Sequence, residues 1–345
     1  MLEITRPDDW HVHLRDGAML ARVLPHTARQ FARAIVMPNL DPPVRSVADA
    51  HAYRARILAA LPAGLRFEPL MTLYLTSETT PDEIRRAAES EWVFGAKLYP
   101  KGATTHSEAG VDDLAALAPV LAAMERHDLP LLVHGESTAP DCDVFDREAD
   151  FLERWLAPTV ERFAGLRVVF EHITTAAAVA FVRGAPARVG ATITPQHLLL
   201  NRNSIFEGGL RPHHYCLPVL KRERDRRALL EAATSGDPHF FLGTDSAPHA
   251  RSAKESACGC AGIYSAPIAL ELYAEAFASV GALDRLEGFA SAFGADFYRL
   301  PRNREKLKLD ATRWTVPGAA SRTGTGADDE PVVFFAGRTL GHRLA

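Results

Sequence analysis

Trp10-His11-Val12-His13-Leu14-Arg15-Asp16 contains the first of eight short apolar runs in this chain of 345 residues. Longer stretches with the apolar spacing of helices separate the runs, so strands and helices are predicted to alternate. The predicted strands are Trp10–Leu14, Ala34–Met37, Pro69–Leu75, Val93–Leu98, Leu131–His134, Val168–Ile173, Ala191–Thr194 and Phe240–Thr244. The clearest helical patterns are Asp112–Arg126, Arg147–Phe163, Thr174–Arg183 and Arg222–Thr234.

This alternation predicts an α/β fold with a parallel sheet and right-handed crossovers. Eight units favour closure into a (β/α)8 TIM-type barrel. An open doubly wound sheet is the alternative, but no GxGxxG turn follows the first predicted strand.

The C-terminal part of the chain predicts two additional helices, at Ala266–Val280 and Arg285–Ala295. The polar tail after Pro301 receives no assignment. No low-complexity linker divides the chain, so we expect a single domain. The expected boundaries are 1–345 for that domain, about 5–265 for the barrel core and about 266–345 for the C-terminal helices and tail.

Composition excludes several classes of protein. Hydrophobic residues make up 47% and charged residues 24% of the chain, as in a globular protein with a large core. The formal net charge of −4 offers no basic excess for binding nucleic acid or an anionic membrane. No apolar run reaches the ~18 residues of a spanning helix, and Met1–Pro7 lacks the pattern of a signal peptide. We expect a cytoplasmic enzyme that contacts neither nucleic acid nor membrane.

Polar residues at the ends of the predicted strands indicate a metal site. In a parallel barrel the carboxyl ends of the strands meet at one mouth, where active sites lie. His11 and His13 are two residues apart in a strand, so they face the same side. The other candidates at strand ends are Lys97, His134, His172 and Asp245. The four histidines and the aspartate would suit Zn²⁺ or a similar divalent ion. In the alternative interpretation, each of them is a capping or hydrogen-bonding residue.

Lys97 differs from the other candidates because an ammonium group cannot bind a cation. One interpretation is a salt bridge to an aspartate or glutamate. The other is that burial and nearby cations depress the pKa of the amine. A neutral amine could capture CO₂ as a carbamate, an anionic ligand able to bridge two metal ions.

Together these residues resemble the single-function bacterial dihydroorotases of the amidohydrolase superfamily. The resemblance runs in order over roughly residues 4–300. HxH alone marks only the superfamily, whereas Arg15, Asn39 and the Asp-Ser-Ala-Pro-His segment at 245–249 are more specific. The matching stretches are Arg6–Gly17, Met37–Asn39, Ala96–Pro100, Leu132–Glu136, Phe170–Thr175, Ile193–Leu198, Arg211–His213, Gly243–His249, Lys254–Ser256, Cys258–Gly262 and Ala266–Pro267.

The resemblance implies two Zn²⁺ ions per subunit, bridged by an N6-carboxylated Lys97 and a hydroxide. His11, His13 and Asp245 would bind the more buried ion, and the second ion would be bound by His134 and His172. The implied reaction is the reversible interconversion of N-carbamoyl-L-aspartate and L-dihydroorotate in pyrimidine (UMP) biosynthesis. The bridging hydroxide would be the nucleophile, and Asp245 the general base and acid. A homodimer is usual in the family.

The substrate carries a carboxylate that does not react, and Arg15 is its natural partner because a guanidinium binds a carboxylate in bidentate fashion. A salt bridge from Arg15 to Asp16 or Asp8 is the alternative. By resemblance, Asn39 and His249 complete the carboxylate site. The resemblance also implies ring contacts from the main chain of Leu217 and Ala261. The segment Pro100–Gly110 is rich in Gly, Thr and Ser and follows Lys97 closely, which predicts a lid, with an ordinary solvated loop as the alternative. The resemblance implies that Thr104 and Thr105 of this segment contact the ligand.

Other members of the superfamily remain as alternatives. Another cyclic amidase, such as a hydantoinase, dihydropyrimidinase or allantoinase, would use the same metal ions. A neutral ring, however, leaves Arg15, Asn39 and His249 without a purpose. A non-catalytic scaffold would lack metal ligands that are present here, and Lys97 argues against a mononuclear deaminase.

Overall fold

The computed structural model describes residues 2–318 and 329–345. Its strands are β1 (Leu2–Thr5), β2 (Asp9–Val12), β3 (Arg33–Val36), β4 (Glu68–Tyr74), β5 (Val93–Leu98), β6 (Leu131–Val133), β7 (Val168–Phe170), β8 (Val189–Ile193), β9 (Phe240–Leu242), β10 (Lys306–Asp310), β11 (Trp314–Thr315), β12 (Thr339–Leu340) and β13 (Arg343–Leu344). Strands β2 to β9 form one eight-stranded sheet in chain order, and every neighbouring pair is parallel.

The sheet closes where the chain leaving β9 meets β2. The amide of Asp245 donates to the carbonyl of His11 at 2.9 Å, and the amide of His13 donates to the carbonyl of Ser246 at 3.1 Å. These bonds join the first and last barrel strands at their carboxyl ends. The predicted (β/α)8 barrel is therefore confirmed.

The helices are α1 (Gly17–Gln30), α2 (Val47–Ala60), α3 (Pro81–Glu89), α4 (Ala118–Arg126), α5 (Arg147–Phe151), α6 (Ala157–Arg162), α7 (Ala176–Gly184), α8 (Pro195–Leu199), α9 (Glu223–Thr234), α10 (Arg251–Lys254), α11 (Ala269–Ala278) and α12 (Phe293–Phe297). Local signals fix several helix starts: Asp16 caps α1, and Ser46 with Asp49 forms a capping box on α2. Within the described residues, no helix has both the length and the apolar character that crossing a membrane requires.

Two predicted helices are interrupted. The pattern at 147–163 forms α5 and α6 with a wider π-helical turn at Leu152–Leu156 between them. The pattern at 285–295 becomes a π-helical turn at Gly288–Ala292 followed by α12. Gly294 in α12 lies so close to Trp10 that an added Cβ would be 2.0 Å from the indole nitrogen. Close packing against the barrel therefore outweighs the continuous helical pattern of this segment.

An apolar cluster fills the amino-terminal half of the barrel interior. It includes Leu132, Val169 and Phe241 from three barrel strands. Trp10 stacks on Tyr298 with ring centroids 4.6 Å apart, and both belong to this cluster. Because this half is filled with apolar side chains, polar groups can be exposed to a ligand only at the carboxyl end of the barrel.

The tail after Pro301 completes a small second sheet. Strand β10 pairs antiparallel with β1, with Leu2 opposite Leu309 and Thr5 opposite Lys306. Strand β13 pairs with the other edge of β10. The two ends of the chain are thereby held together beside the barrel.

Candidate active site

The predicted metal ligands meet at the carboxyl end of the barrel, and all six are buried. We call them the ligand cluster. Three residues at the edge of the site have positive φ angles, which residues other than glycine seldom adopt: Arg15 (59°), His172 (40°) and Asp245 (44°). These backbone bends follow strands β2, β7 and β9. The ligand cluster consists of His11, His13, Lys97, His134, His172 and Asp245.

His11, His13 and Asp245 bring their donor atoms to one point. His13 Nε2 lies 3.3 Å from His11 Nε2 and 3.1 Å from Asp245 Oδ1. The distance from His11 Nε2 to Asp245 Oδ1 is 3.3 Å. All three side chains can offer a ligand atom within 4.8 Å of the others, which fits a shared cation.

The charge states of this group also suit a cation. Burial lowers the pKa of His13 to about 4, so its imidazole is neutral at neutral pH. Burial alone would raise the pKa of Asp245, but the nearby His11 and His13 outweigh it and lower that pKa to about 2. Neutral imidazole and ionised carboxylate are the forms that bind metals.

Asn39 determines which nitrogen of His13 is free. Its Oδ1 lies 2.9 Å from His13 Nδ1, so Nδ1 carries the hydrogen and Nε2 keeps its lone pair. The amide of Asn39 also donates to the carbonyl of Thr105 at 3.2 Å. Asn39 thus connects the ligand cluster to the segment that covers it.

His134 and His172 lie side by side, with ring centroids 4.7 Å apart. Nδ1 of His172 is buried and has no hydrogen-bond partner among the described residues. Nε2 of His134 bonds Oε2 of Glu136 at 2.7 Å, which leaves Nδ1 of His134 as its available ligand atom. Burial lowers the pKa of His172 well below its usual value. His134 and His172 are candidates to hold a second cation, and His172 also has a ligand atom within 4.8 Å of those of His11 and Glu171.

Lys97 is fully buried and contacts Glu171, which is also fully buried. Glu171 Oε2 lies 3.2 Å from His11 Nδ1 as well. Burial lowers the pKa of Lys97, although the carboxylate of Glu171 opposes this. The salt bridge considered from the sequence is therefore present, and its partner is Glu171.

Sequence reasoning missed Glu136 and Glu171. Both are fully buried: Glu136 bonds His134, and Oε2 of Glu171 lies 3.2 Å from Nδ1 of His11. The available signal was their position, because Glu171 follows the end of β7 directly and Glu136 follows β6 by three residues. The rule that selected His134 and His172 would have selected these glutamates too.

Arg15, Asn39 and His249 form one side of the mouth, which we call the Arg15 corner. Arg15 Nε donates to the carbonyl of Pro248 at 3.0 Å, and Nη2 lies 3.0 Å from Nε2 of His249. Burial and the neighbouring Arg15 lower the pKa of His249 to about 2. The salt bridges considered for Arg15 are absent among the described residues, because Asp8 pairs with Arg33 and Asp16 with Arg56.

The segment 100–110 covers the ligand cluster. Thr104, Thr105, Leu217 and Ala261 line the same cavity as the histidines. Thr105 Oγ1 donates to the carbonyl of Ala261 at 3.4 Å. The cavity is narrow: only about 20 Å³ of it is open to the centre of a water-sized sphere. We therefore expect this segment to move when a six-membered ring with substituents enters.

Known proteins are similar to this chain over most of its sequence. The model of the amidohydrolase family matches residues 8–308. A dihydroorotase of Alkalilimnicola ehrlichii is 62% identical over 343 residues, which are 99% of each chain. A dihydroorotase of Cupriavidus necator is 66% identical over 316 residues, which are 92% of each chain. The chain belongs to the dihydroorotase family.

Solved structures of this family agree with the fold. Dihydroorotase of Saccharomyces cerevisiae, solved with 5-fluoroorotic acid, is 34% identical with a TM-score of 0.90, covering 100% of this chain and 99% of its own. Dihydroorotase of Campylobacter jejuni is 36% identical with a TM-score of 0.88, covering 99% of this chain and 97% of its own. An L-hydantoinase of Arthrobacter aurescens has a TM-score of 0.80 at 16% identity, with 99% and 83% covered, and this likeness concerns the fold alone.

Proposed function

We propose that this chain is a dihydroorotase that interconverts L-dihydroorotate and N-carbamoyl-L-aspartate. The observation that carries the proposal is that Arg15 and Asn39 line the same small cavity as the four histidines and Asp245 of the ligand cluster. One part of this cavity suits a carboxylate that does not react. The other part suits polarisation of a ring amide by metal ions.

The ligand cluster fits two divalent cations, and we expect zinc. His11, His13 and Asp245 would hold one ion, His134 and His172 the other, and a carboxylated Lys97 would bridge them. Bound ions would polarise the ring carbonyl and lower the pKa of water. The neutral imidazole of His13, the ionised Asp245 and the unpartnered Nδ1 of His172 support this expectation.

The protein's own groups account for binding and proton transfer. Arg15 would bind the substrate carboxylate with two N–H donors, and Asn39 would add a third. Asp245, ionised and next to His11 and His13, would accept a proton from the water that opens the ring. It would then return that proton to the leaving ring nitrogen. The segment 100–110 would exclude bulk water during this transfer.

The test is turnover of L-dihydroorotate by the purified protein. Loss of the ring's ultraviolet absorbance measures the rate of ring opening. We expect ring opening that a chelator abolishes and zinc restores. Failure of the folded, zinc-loaded protein to open the ring would contradict the proposal. The same assay with a hydantoin and a dihydropyrimidine examines the cyclic-amidase alternative, which predicts faster turnover of those neutral rings.

The remaining expectations concern the pathway, the cellular location, the oligomeric state and the domain organisation of the protein. We propose a role in pyrimidine biosynthesis in the cytoplasm, as a homodimer whose subunit is a single domain over residues 1–345. The pairing of β1 with β10 supports the single domain, because it joins both ends of the chain. Light scattering coupled to gel filtration measures the oligomeric state, and a monomer mass would contradict the homodimer.

A further inference from the structure

Tyr99 is a buried residue of the candidate site with no role so far. It follows Lys97 by two residues as the chain leaves β5, so both side chains face the barrel interior. Its side chain is only 1% exposed, and it lines the cavity over the ligand cluster. The hydroxyl oxygen has no hydrogen-bond partner among the described residues.

Aromatic neighbours hold the ring of Tyr99 in place. Its centroid lies 5.1 Å from that of Tyr74 and 6.0 Å from that of His134. Tyr74 in turn donates from its hydroxyl to the carbonyl of His106 at 3.3 Å, within the covering segment 100–110. Tyr99 is thus packed between His134, which with His172 forms the second histidine pair, and Tyr74, which contacts the covering segment.

An unpartnered hydroxyl in such a place requires a physical explanation. Buried polar groups are nearly always hydrogen-bonded, since leaving one without a partner opposes folding. A phenylalanine would supply the same ring packing without this cost. Tyr99 lines a cavity whose other polar lining residues include His134, Arg15 and Thr104. A ligand in that cavity would provide the partner that the protein lacks.

We propose that the hydroxyl of Tyr99 donates a hydrogen bond to a carbonyl oxygen of the bound substrate ring. The inference rests on the proposed function, which supplies a ring with carbonyl oxygens. Strand order supports a ring carbonyl oxygen, and not the substrate carboxylate, as the partner of Tyr99. Arg15 and Asn39 follow β2 and β3, whereas Tyr99 follows β5, next to His134 after β6. Tyr99 therefore lies on the side of the second histidine pair and not beside the carboxylate site.

The chain offers a matched control for this inference. Tyr298 is also buried, and its hydroxyl also has no partner among the described residues. It stacks on Trp10 in the apolar cluster at the other end of the barrel. Removing the two hydroxyls in turn makes the same chemical change at the site and away from it.

The experiment compares Tyr99→Phe and Tyr298→Phe with the wild-type holoenzyme. We expect Tyr99→Phe to lower kcat/KM for L-dihydroorotate roughly 10- to 100-fold, the range for one lost hydrogen bond in a closed site. Calorimetric titration should also show about tenfold weaker binding of 5-fluoroorotate. Zinc content should equal the wild-type value, and Tm should not fall below it, because the variant buries no unpartnered hydroxyl. Tyr298→Phe should match the wild type in activity and ligand binding.

Two results would overturn the inference while leaving the proposed function intact. Wild-type kcat/KM and 5-fluoroorotate affinity in Tyr99→Phe would mean that the hydroxyl does not contact the ring. A loss of bound zinc in that variant would mean that the hydroxyl serves the ligand cluster instead. Inactivity of the zinc-loaded wild type, by contrast, would overturn the proposed function and the ring contact together.

Discussion

Asp9 binds Thr244 through both oxygens of its carboxylate. Oδ1 accepts from the amide of Thr244 at 2.9 Å, and Oδ2 accepts from its hydroxyl at 2.6 Å. Asp9 lies in the first barrel strand and Thr244 follows the last, so this pair closes the barrel. The same Oδ1 accepts from the amide of His11 at 3.2 Å. Barrel closure and the position of two metal-ligand candidates, His11 and Asp245, therefore depend on one fully buried carboxylate.

Thr244→Val tests this link between closure and stability. The change removes the hydroxyl donor and leaves Oδ2 of Asp9 buried without that bond. We expect a loss of roughly 1–3 kcal/mol in the free energy of unfolding, measured by urea denaturation. Thr312→Val, at an exposed position between β10 and β11, is the control and should change the stability by less than about 0.5 kcal/mol. Equal stabilities of the two variants would contradict the role assigned to Asp9.

Lys97→Ala tests the bridging role proposed for Lys97. The variant cannot form a carbamate, so we expect kcat to fall by more than the ~100-fold typical of changes around metal ligands. Turnover of L-dihydroorotate and zinc content are the measurements. Partial recovery with added short-chain carboxylic acids would support an anionic bridge. Near-normal turnover without such an acid would exclude the carbamate role.

Arg15→Met tests the proposed carboxylate site. Methionine keeps the unbranched apolar stem but lacks the N–H donors, so KM for L-dihydroorotate should rise roughly 10- to 100-fold. Zinc content should not change, because Arg15 is not a metal ligand. Arg56→Met is the matched control, since Arg56 pairs with Asp16 outside the cavity. An unchanged KM in Arg15→Met would remove Arg15 from substrate binding.

Glu136→Gln tests the orientation of His134. The carboxylate bonds Nε2 of that histidine, and loss of its charge should weaken zinc binding about 10- to 100-fold. Competition with a chromogenic chelator measures the affinity. Glu271→Gln is the control, because Glu271 is equally buried but accepts from the amide of Leu344, away from the cavity. Wild-type zinc affinity in Glu136→Gln would contradict this orienting role.

Lys254 should make the free energy of unfolding increase with pH in the alkaline range. Its buried ammonium donates to the carbonyls of Tyr215 at 2.8 Å and Cys260 at 2.7 Å, and burial lowers its pKa from 10.5 to about 8. Between these values the unfolded chain binds more protons at this site than the folded chain. The contribution of Lys254 to stability therefore increases as pH rises from about 8 to 10.5, by about 3 kcal/mol at most.

Urea denaturation at pH 8 and pH 10 measures this effect as a difference between variants. Lys254→Met should lack the alkaline gain that the wild type shows. Lys308→Met, on the exposed side of β10, should keep the wild-type pH dependence. If Lys254→Met and the wild type changed in parallel, Lys254 would not be the source of the dependence.

Much of the barrel could be predicted from local periodicity. Runs such as Leu131–His134 are short and apolar because strands of a closed parallel barrel are buried on both faces. The ligand cluster was also predictable as a set of residues, since carboxyl ends of parallel strands share one edge. The sequence by itself determined the fold class, the order of its strands and the set of side chains at the carboxyl end of the barrel.

Only the tertiary structure decided how those side chains meet. Glu171 and Lys97 are far apart in the chain, and their contact depends on barrel closure. The backbone at His172 and Asp245 is left-handed where the chain leaves β7 and β9, and no local pattern encodes such strained conformations. The pairing of β1 with β10 likewise joins residues about 300 positions apart. Local sequence specifies periodicity and end signals, whereas contacts between distant residues arise only when the whole chain packs.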